Sequence, residues 1–369
     1  SVVKVSTDLV IETIPIRGRG PANILITSDG SKAYSANSGM DTVSVIDTSS
    51  DEIIATVDVG ATPIGMAITP DGSQVYVTNF FSNTVSVINT STNSVIATVP
   101  VGMSPLSISI TPDGSEAFVV NFNGNSVSVI DITTNTVAAT IPVELRPVDI
   151  EITMDGSKAY VANLGTDTNP GNTVSVINTS INTVIDTVVI GSRPIDIAIT
   201  TDGTTAYVAN FADNTVSVID TSTDDVTALV PGVGPGPSFI EITPDGFKAY
   251  VANTSDKAFF PETGNTVSVI STSTNAVIDI VVVGSRPVDI AITPDRAEVL
   301  VPNYFSNNLS IIDTSDDVVD ATVDVGTAPL AVTITPDGTK AYVANSVGKT
   351  VSVINVSNNQ IIKTLNIDR

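Results

Sequence analysis

The chain is built from short segments in which apolar and polar residues alternate, separated by clusters of Gly, Pro, Asn, Asp and Ser. Residues 63–102 show the pattern, with Pro63 followed by IGMAIT, PDG, VYVTN, a short loop, TVSVI, the turn NTSTN and VIATVPVG. Alternation with a period of two in segments rich in Val, Ile, Thr and Tyr predicts β-strands. Each unit is therefore predicted to contain four strands, A to D, and no segment predicts a helix longer than one turn.

The unit recurs eight times, at spacings of 42, 42, 42, 47, 43, 50 and 42 residues between the prolines that open strand A. An Asp-Gly pair joins strands A and B in every unit except the seventh, where Arg296 replaces the glycine. A left-handed Arg296 would cost about 1 kcal/mol. Four-stranded units of this length predict propeller blades. The predicted fold is an all-β, eight-bladed β-propeller of four-stranded antiparallel blades over residues 18–369. The opening prolines are Pro21, Pro63, Pro105, Pro147, Pro194, Pro237, Pro287 and Pro329.

Residues 1–17 are predicted to form a surplus β-hairpin, because VVKV matches strand C and LVIETIPI matches strand D. The chain also ends with a C–D pair, so the two ends cannot complete one blade between them. The hairpin either packs on a blade of its own chain or completes a blade of the next subunit by strand addition. Exchange of this kind is head-to-tail and propagates. The partner-contact candidates on the hairpin are Val3, Val5, Val10 and Ile14.

The words YVTN (76–79), YVAN, ITPDG and TVSVI resemble the YVTN-type β-propeller repeats of archaeal and bacterial surface-layer and other exported proteins. The resemblance covers nearly the whole chain. It implies a propeller fold and an extracellular or cell-surface location, but the family shares no single activity.

The amino-acid composition disfavours several kinds of partner and of functional site. The net charge is −24, which disfavours nucleic acid and anionic membranes as partners. No run of 18 apolar residues predicts a membrane span. The chain contains no Cys, so no disulfide or thiolate metal site is expected, and no His, which removes the commonest general base and metal ligand. Because the sequence begins at Ser1, we expect a processed form or a recombinant fragment.

The most conspicuous candidate chemistry is the motif Arg-Pro-x-Asp, which three units carry where strand D leads into strand A. Glutamates also stand on inner strands where other units have alanine. Arginines and carboxylates around a channel mouth would bind an anionic sugar or a cation. Alternatively, each arginine pairs with a nearby aspartate and fixes a contact between blades. These ion-pair or ligand candidates are Arg146, Asp149, Glu151, Arg193, Asp196, Glu241, Arg286 and Asp289.

Two insertions interrupt the repeat in the B–C loop, at residues 164–172 and 254–265. Long loops on a rigid scaffold commonly carry binding sites. Phe259 and Phe260 in the second insertion are the main candidates for a partner contact, against local packing as the alternative. The asparagine that ends strand B in every unit is predicted to have a structural role.

Other polar motifs carry weaker signals. The acidic runs 220–225 and 313–317 contain oxygen ligands suited to Ca²⁺, but they lack the spacing of a calcium loop, and solvated turns are the alternative. Beyond this weak Ca²⁺ signal, we expect no cofactor and no metal ligand. Five Asn-x-Ser/Thr sites are candidate glycosylation sites in an exported chain. They are Asn89, Asn178, Asn253, Asn308 and Asn355.

These features favour a non-catalytic extracellular structural protein, a surface-layer, sheath or filament subunit that assembles head-to-tail through strand complementation. The alternative is a secreted or surface binding module that recognises a polysaccharide or a protein through the face bearing the two insertions. A carboxylate-only hydrolase is chemically feasible, but we expect no enzyme and no catalytic residue, because the sequence indicates no localised cluster outside the channel mouth.

Overall fold

The computed structural model describes residues 20–255 and 264–367. They form eight antiparallel sheets of four strands each, which confirms the predicted all-β fold of eight blades. Within these two ranges, no helix is long and apolar enough to cross a membrane. The surplus hairpin of residues 1–17, with Val3, Val5, Val10 and Ile14, lies outside the described residues and stays a prediction.

The first four blades follow the chain in order, each with strand A innermost and strand D outermost. Their strands are β1 (Pro21–Ile26), β2 (Lys32–Asn37), β3 (Thr42–Asp47), β4 (Glu52–Asp58), β5 (Pro63–Ile68), β6 (Gln74–Asn79), β7 (Thr84–Asn89), β8 (Ser94–Pro100), β9 (Pro105–Ile110), β10 (Glu116–Asn121), β11 (Ser126–Asp131), β12 (Thr136–Pro142), β13 (Pro147–Ile152), β14 (Lys158–Gly165), β15 (Pro170–Asn178) and β16 (Thr183–Val189).

Blades 5 to 8 repeat the arrangement. Their strands are β17 (Pro194–Ile199), β18 (Thr205–Asn210), β19 (Thr215–Asp220), β20 (Val226–Val230), β21 (Pro237–Ile242), β22 (Lys248–Asn253), β23 (Thr266–Ser271), β24 (Ala276–Val282), β25 (Ala291–Ile292), β26 (Glu298–Asn303), β27 (Asn308–Asp313), β28 (Val318–Asp324), β29 (Pro329–Ile334), β30 (Lys340–Asn345), β31 (Thr350–Asn355) and β32 (Gln360–Asn366).

The eight inner strands form a closed ring. Each one contacts the inner strand of the next blade, and β29 of blade 8 contacts β1 of blade 1. All four strands of the first and last blades come from consecutive residues, so the described ring closes without a blade shared between the two ends of the chain. The inner strands therefore surround a central channel.

The hydrophobic core is divided among the interfaces between blades. Each of the eight buried apolar clusters is centred on strands of two neighbouring blades, and the cluster with Ile24 and Ile46 of blade 1 also contains Tyr342 and Leu365 of blade 8. Burial of this apolar area at about 25 cal/mol per Å² is the main force that joins one blade to the next. Closure of the ring buries the same kind of surface as every internal interface.

A polar contact repeats at the rim of these interfaces. The tyrosine of strand B donates to a left-handed Asp or Asn in the C–D turn of the next blade, as in Tyr160 Oη to Asp224 Oδ1 and Tyr207 Oη to Asn275 Oδ1 at 2.7 Å. Where this turn residue is an aspartate, a lysine at the start of strand B pairs with it, as in Lys158 Nζ to Asp224 Oδ2 at 2.7 Å. The acidic runs of the sequence therefore contribute to contacts between blades.

The asparagine at the end of strand B is fully buried in all eight blades. Its Nδ2 donates to side chains of strand C in the same blade, as in Asn79 Nδ2 to Ser86 Oγ at 2.9 Å. These bonds hold the start of the B–C loop in place, in agreement with the predicted structural role.

Blade 7 is the least regular blade. Its inner strand β25 contains only two residues, and the partner strand β26 carries Pro302 opposite the missing part. Proline has no amide hydrogen, so this position cannot donate to the inner strand. Arg296 in the A–B turn of this blade has φ 68°, the strained left-handed conformation that the sequence suggested.

Candidate functional site

The channel wall is built from two positions on each inner strand. The residue that packs between blades, for example Ile150 or Ile197, is buried in an interface cluster. The residues before and after it lie on the opposite face of the strand, because side chains alternate along a strand. These are the third and fifth residues counted from the opening proline.

Only blades 4 to 7 place ionisable residues at these two positions. The third residues of blades 1 to 8 are Asn23, Gly65, Ser107, Asp149, Asp196, Phe239, Asp289 and Ala331. The fifth residues are Leu25, Ala67, Ser109, Glu151, Ala198, Glu241, Ala291 and Thr333. The structure therefore brings five of the predicted candidates onto one half of the channel wall. The other half is neutral.

The third-position aspartates bond to the next blade. Asp149 Oδ2 accepts from the Ile197 amide at 3.1 Å, Asp196 Oδ2 accepts from the Ile240 amide at 2.7 Å, and Asp289 Oδ2 accepts from the Val332 amide at 2.8 Å. Each aspartate thus links its own inner strand to the following one. The alternative in which each arginine pairs with a nearby aspartate applies to Arg193, which pairs with Asp167, whereas the channel aspartates reach the next blade through backbone amides.

Asp149 and Asp196 are neighbouring carboxyl groups on adjacent blades, because Asp149 accepts from the amide of Ile197, the residue after Asp196. The two carboxyls form a hydrogen-bonded pair. Asp149 Oδ1 also accepts from Ser107 Oγ of blade 3 at 2.9 Å. Desolvation raises the pKa of both groups, and the charge of Asp149 helps to hold the pKa of Asp196 well above its usual range. Because the Asp149 carboxyl accepts several hydrogen bonds, it is the group of the pair that loses its proton first, and Asp196 holds the proton that the two groups share.

The remaining channel carboxyls are also perturbed. Desolvation raises the pKa of Glu151 and of Glu241 to about 8 and that of Asp289 to about 7. Repulsion from Asp149 contributes at Glu151, and repulsion from Asp289 contributes at Glu241. Glu241 is accessible to water within the channel, but the surrounding wall removes most of the bulk solvent that would stabilise its charge. At neutral pH this wall therefore presents protonated carboxyls that donate hydrogen bonds as well as accept them.

The three arginines lie at the rim of the channel, in the residue before the opening proline. The Arg146 guanidinium lies 5.4 Å from the ring centroid of Phe122. The Arg286 guanidinium lies 5.2 Å from the Tyr304 centroid. Arg193 forms an ion pair with Asp167 at 3.4 Å. The motif Arg-Pro-x-Asp thus places a cation at the rim and a carboxyl inside the channel.

The first insertion extends one hairpin of blade 4, where β14 and β15 continue to a turn closed between Thr166 and Asn169. A cavity of about 100 Å³ lies beside it, lined by Glu144, Asn163 and Thr173 among others. The second insertion, with Phe259 and Phe260, lies outside the described residues at 256–263 and stays a prediction.

The five glycosylation candidates have different surroundings. Asn253 is fully buried and donates to Ser268 Oγ at 2.9 Å, so the folded blade leaves no room for a glycan there. Asn308 accepts from the buried Asn303. Asn89, Asn178 and Asn355 are partly exposed at the C–D turns, as expected from the repeat.

No group of three or more Asp or Glu side chains is arranged to hold a metal ion in the part of the chain that the structure describes. In the two acidic runs, Asp220 accepts from Ser222 within its turn, and Asp317 pairs with Lys248 of the preceding blade. These residues are thus engaged in turns and in contacts between blades.

Ser107 and Phe239 belong to the site but were not predicted. Ser107 donates to Asp149, and Phe239 occupies the third position in blade 6 with 38% of its surface exposed. Both stand at the repeat position of Asp149, so the register of the eight repeats is the signal that identifies them. Neither carries a charge, so the charged motif alone does not single them out.

Comparisons with known proteins support the fold and change the functional class. Residues 5–95 match the model of a family described as lactonase, 7-bladed β-propeller. The search of curated proteins returned no match.

The fold resembles several solved structures. Hydrazine synthase of Kuenenia stuttgartiensis has 22% identity and a TM-score of 0.66, with 96% of this chain and 99% of that chain covered. Dihydro-heme d1 dehydrogenase NirN has 15% identity and a TM-score of 0.73, with 93% and 72% covered. A functionally unknown protein from Desulfotomaculum acetoxidans has 22% identity and a TM-score of 0.62, with 79% and 96% covered. At these identities the likeness establishes the propeller fold.

These findings correct the expected function. We expected a non-catalytic surface-layer or filament subunit, and that expectation is wrong. The lactonase match and the enzymes among the structural neighbours point instead to a catalytic or ligand-binding propeller. The physical reason is in the channel, since a purely structural ring needs no desolvated carboxyls on half of its inner wall. The chain shares the β-propeller fold with these proteins, and the surface-layer resemblance is not confirmed.

Proposed function

We propose that the chain binds a small polar molecule in its central channel and hydrolyses it by general acid–base catalysis at Asp149 and Asp196. The observation that carries the proposal is the hydrogen-bonded carboxyl pair on adjacent blades. Perturbed carboxyl pairs of this kind are typical of acid–base sites, because the two groups hold one proton between them at neutral pH. Four other blades have Asn, Gly, Ser or Ala at the same position.

In this mechanism one carboxyl of the pair is the general base and the other is the general acid. The Asp149 carboxylate accepts a proton from the attacking water, and the Asp196 carboxyl donates its proton to the oxygen of the acyl group. The water oxygen forms a bond to the carbonyl carbon and gives a tetrahedral intermediate. As this intermediate collapses and the bond to the leaving oxygen breaks, Asp149, now protonated, donates its proton to the leaving oxygen, and a hydroxyl of the intermediate returns a proton to Asp196. The Ser107 hydroxyl and the Ile197 amide favour the ionised form of Asp149 and orient it.

The substrates to test first are small lactones and esters. The family matched by residues 5–95 is named for lactones, and this chemistry requires neither histidine nor a metal ion when a carboxyl pair is present. A panel of four- to six-carbon lactones and esters, followed by pH-stat titration of the released acid, measures hydrolysis directly.

The decisive variants are Asp149→Asn and Asp196→Asn. General acid–base groups contribute about 10²- to 10⁴-fold, so kcat/KM should fall by at least about 100-fold in each. Asp289→Asn is the matched control, because Asp289 also accepts a next-blade amide but is not a member of the pair. If all three variants lose the same activity, the catalytic role of the pair is excluded.

A second candidate is ligand binding without turnover. It is favoured by the bonds of the three aspartates to neighbouring inner strands, since groups held by the scaffold are well placed for recognition. Saturable binding of a panel compound, with no acid released over hours, would select this function over hydrolysis.

A further inference from the structure

The residue before each opening proline stands at the rim of the channel, and most of these residues are left-handed. Their φ angles are positive in seven blades, at Thr62, Ser104, Arg146, Arg193, Gly236, Arg286 and Ala328. Glycine adopts this conformation without strain, and another residue costs roughly 1 kcal/mol more. Since Gly236 shows that the fold accepts glycine here, the arginines are not needed for the backbone geometry.

The guanidinium groups of Arg146 and Arg286 are held against aromatic rings. Arg146 stacks on Phe122 of the preceding blade, and Arg286 lies 5.1 Å from the Phe305 centroid in addition to its contact with Tyr304. Stacking fixes the plane of a guanidinium and leaves its N–H edge directed away from the ring. Across residues 20–255 and 264–367, no hydrogen bond or ion pair joins either guanidinium to an acceptor.

The placement of these cations is selective. The chain has 15 basic residues against 39 acidic ones, yet three of its arginines occupy one rim position. They occur in blades 4, 5 and 7, which are the blades with an aspartate at the third channel position. A rim arginine and its channel aspartate are three residues apart, which is about 10 Å along an extended strand.

We propose that Arg146 and Arg286 each provide an anion-binding subsite at the channel rim, either of which holds a carboxylate or phosphate group of the channel ligand. The planar fork of an arginine matches the oxygens of either anion. The remainder of the ligand then extends inward to the carboxyls of blades 4 to 7. The position of that remainder rests on the proposed function, whereas anion binding at the rim does not.

The experiment measures anion binding without any reaction. Isothermal titration calorimetry of the full chain uses inorganic phosphate, malonate and, as a neutral probe, glycerol, at constant ionic strength. The wild-type chain should bind at least one of the two anions and not glycerol. The stronger of the two anions distinguishes a phosphate ligand from a carboxylate ligand.

The test variants are Arg146→Gly and Arg286→Gly, alone and together. Glycine is the native residue at this position in blade 6, so these variants should melt at or above the wild-type temperature. A charged hydrogen bond contributes about 1.5–3 kcal/mol, so the double variant should bind the anion at least about tenfold more weakly.

Arg296→Gly is the matched control. Arg296 is also left-handed, with φ 68°, but it lies in an A–B turn at the other end of the inner strands and pairs with Asp245 at 2.7 Å. This variant should bind the anion as the wild type does. Arg286→Lys keeps the charge without the planar fork and should bind less tightly than the wild type but better than Arg286→Gly.

The results separate this inference from the proposed function. Asp149→Asn and Asp196→Asn should retain anion binding while they lose hydrolysis. Absence of anion binding by the wild type would overturn the rim subsite and leave the acid–base proposal standing. Equal anion affinity in the double glycine variant and in Arg296→Gly would also overturn it, because the anion would then bind elsewhere.

Discussion

Lys340 and Asp51 close the ring of blades. The Lys340 Nζ lies 2.7 Å from Asp51 Oδ2, across 289 residues of sequence. Tyr342 Oη donates to the other oxygen of the same carboxylate at 2.6 Å. The same arrangement joins blade 4 to blade 5 and blade 6 to blade 7, so the closing interface uses the contact of the internal ones.

Removal of this carboxylate should weaken the closing interface. Asp51→Ala leaves the half-buried Lys340 without its anion, and we expect a loss of about 3 kcal/mol. Urea denaturation followed by circular dichroism measures the change. Lys363→Ala is the control, because Lys363 lies 3.6 Å from the 69% exposed Glu52 and should contribute less than about 0.5 kcal/mol. Equal effects of the two variants would contradict the assigned role of Asp51.

The channel glutamates should make stability depend on pH. Glu151 and Glu241 have a pKa of about 8 in the folded chain, against 4.5 for an unperturbed glutamate. A carboxyl with a raised pKa stabilises the fold while it is protonated, so its contribution is complete below pH 4.5 and is lost as the pH rises through about 8. Melting temperatures should therefore fall between pH 5 and 9, and the double variant Glu151→Gln, Glu241→Gln should fall less.

Glu52→Gln is the control for this pH series. Glu52 is an exposed surface glutamate, so its removal tests whether the slope follows net charge alone. A slope that is flattened equally by Glu52→Gln and by the channel variant would assign the effect to general repulsion.

The left-handed backbone of Arg296 should destabilise the fold, and a substitution that relieves it should raise stability. Arg296→Gly relieves the backbone at φ 68° and should stabilise the chain by about 1 kcal/mol relative to Arg296→Ala. Both variants lose the ion pair with Asp245, so their difference isolates the backbone. Thermal melts of the two proteins provide the measurement, and an alanine variant at least as stable as the glycine variant would refute the interpretation.

Pro302 should be the cause of the short inner strand in blade 7. Pro302→Ala restores an amide hydrogen opposite the irregular segment before β25, and we expect a gain of about 1 kcal/mol. Hydrogen exchange of residues 287–292 should slow at the same time. Pro100→Ala is the control, since Pro100 ends the outermost strand β8, where proline is tolerated. Faster or unchanged exchange in the Pro302 variant would exclude this cause.

The fold was predictable because each repeat carries its own strand and turn signals. The opening prolines, the Asp-Gly turns and the terminal asparagines such as Asn79 are local signals, and the structure places them as the repeat implied. The strain at Arg296 was predictable for the same reason. An extracellular location and a cell-surface partner stay predictions.

The candidate site was only partly predictable. The charged motif residues identified Asp149 and Asp196 as channel candidates, but their mutual hydrogen bond depends on the distance between neighbouring blades. The raised pKa of Glu241 depends on the enclosing wall. Such distances arise from packing of the whole ring, and no local pattern encodes them. The expected functional class was wrong because the lack of histidine does not exclude acid–base chemistry by carboxyl groups on one wall.

The third position of the inner strand can change without a change in the fold. It holds Asn, Gly, Ser, Asp, Phe or Ala in blades that otherwise share one geometry. Gly65 is the exception, because a side chain there would collide with the backbone carbonyl of Leu106 in the next blade. Mutations at the positions without a bond to the next blade are therefore expected to leave blade formation intact, and the chemistry of the channel can be altered one blade at a time. A mutant library for directed evolution can therefore vary these lining residues while the interfaces between blades remain constant.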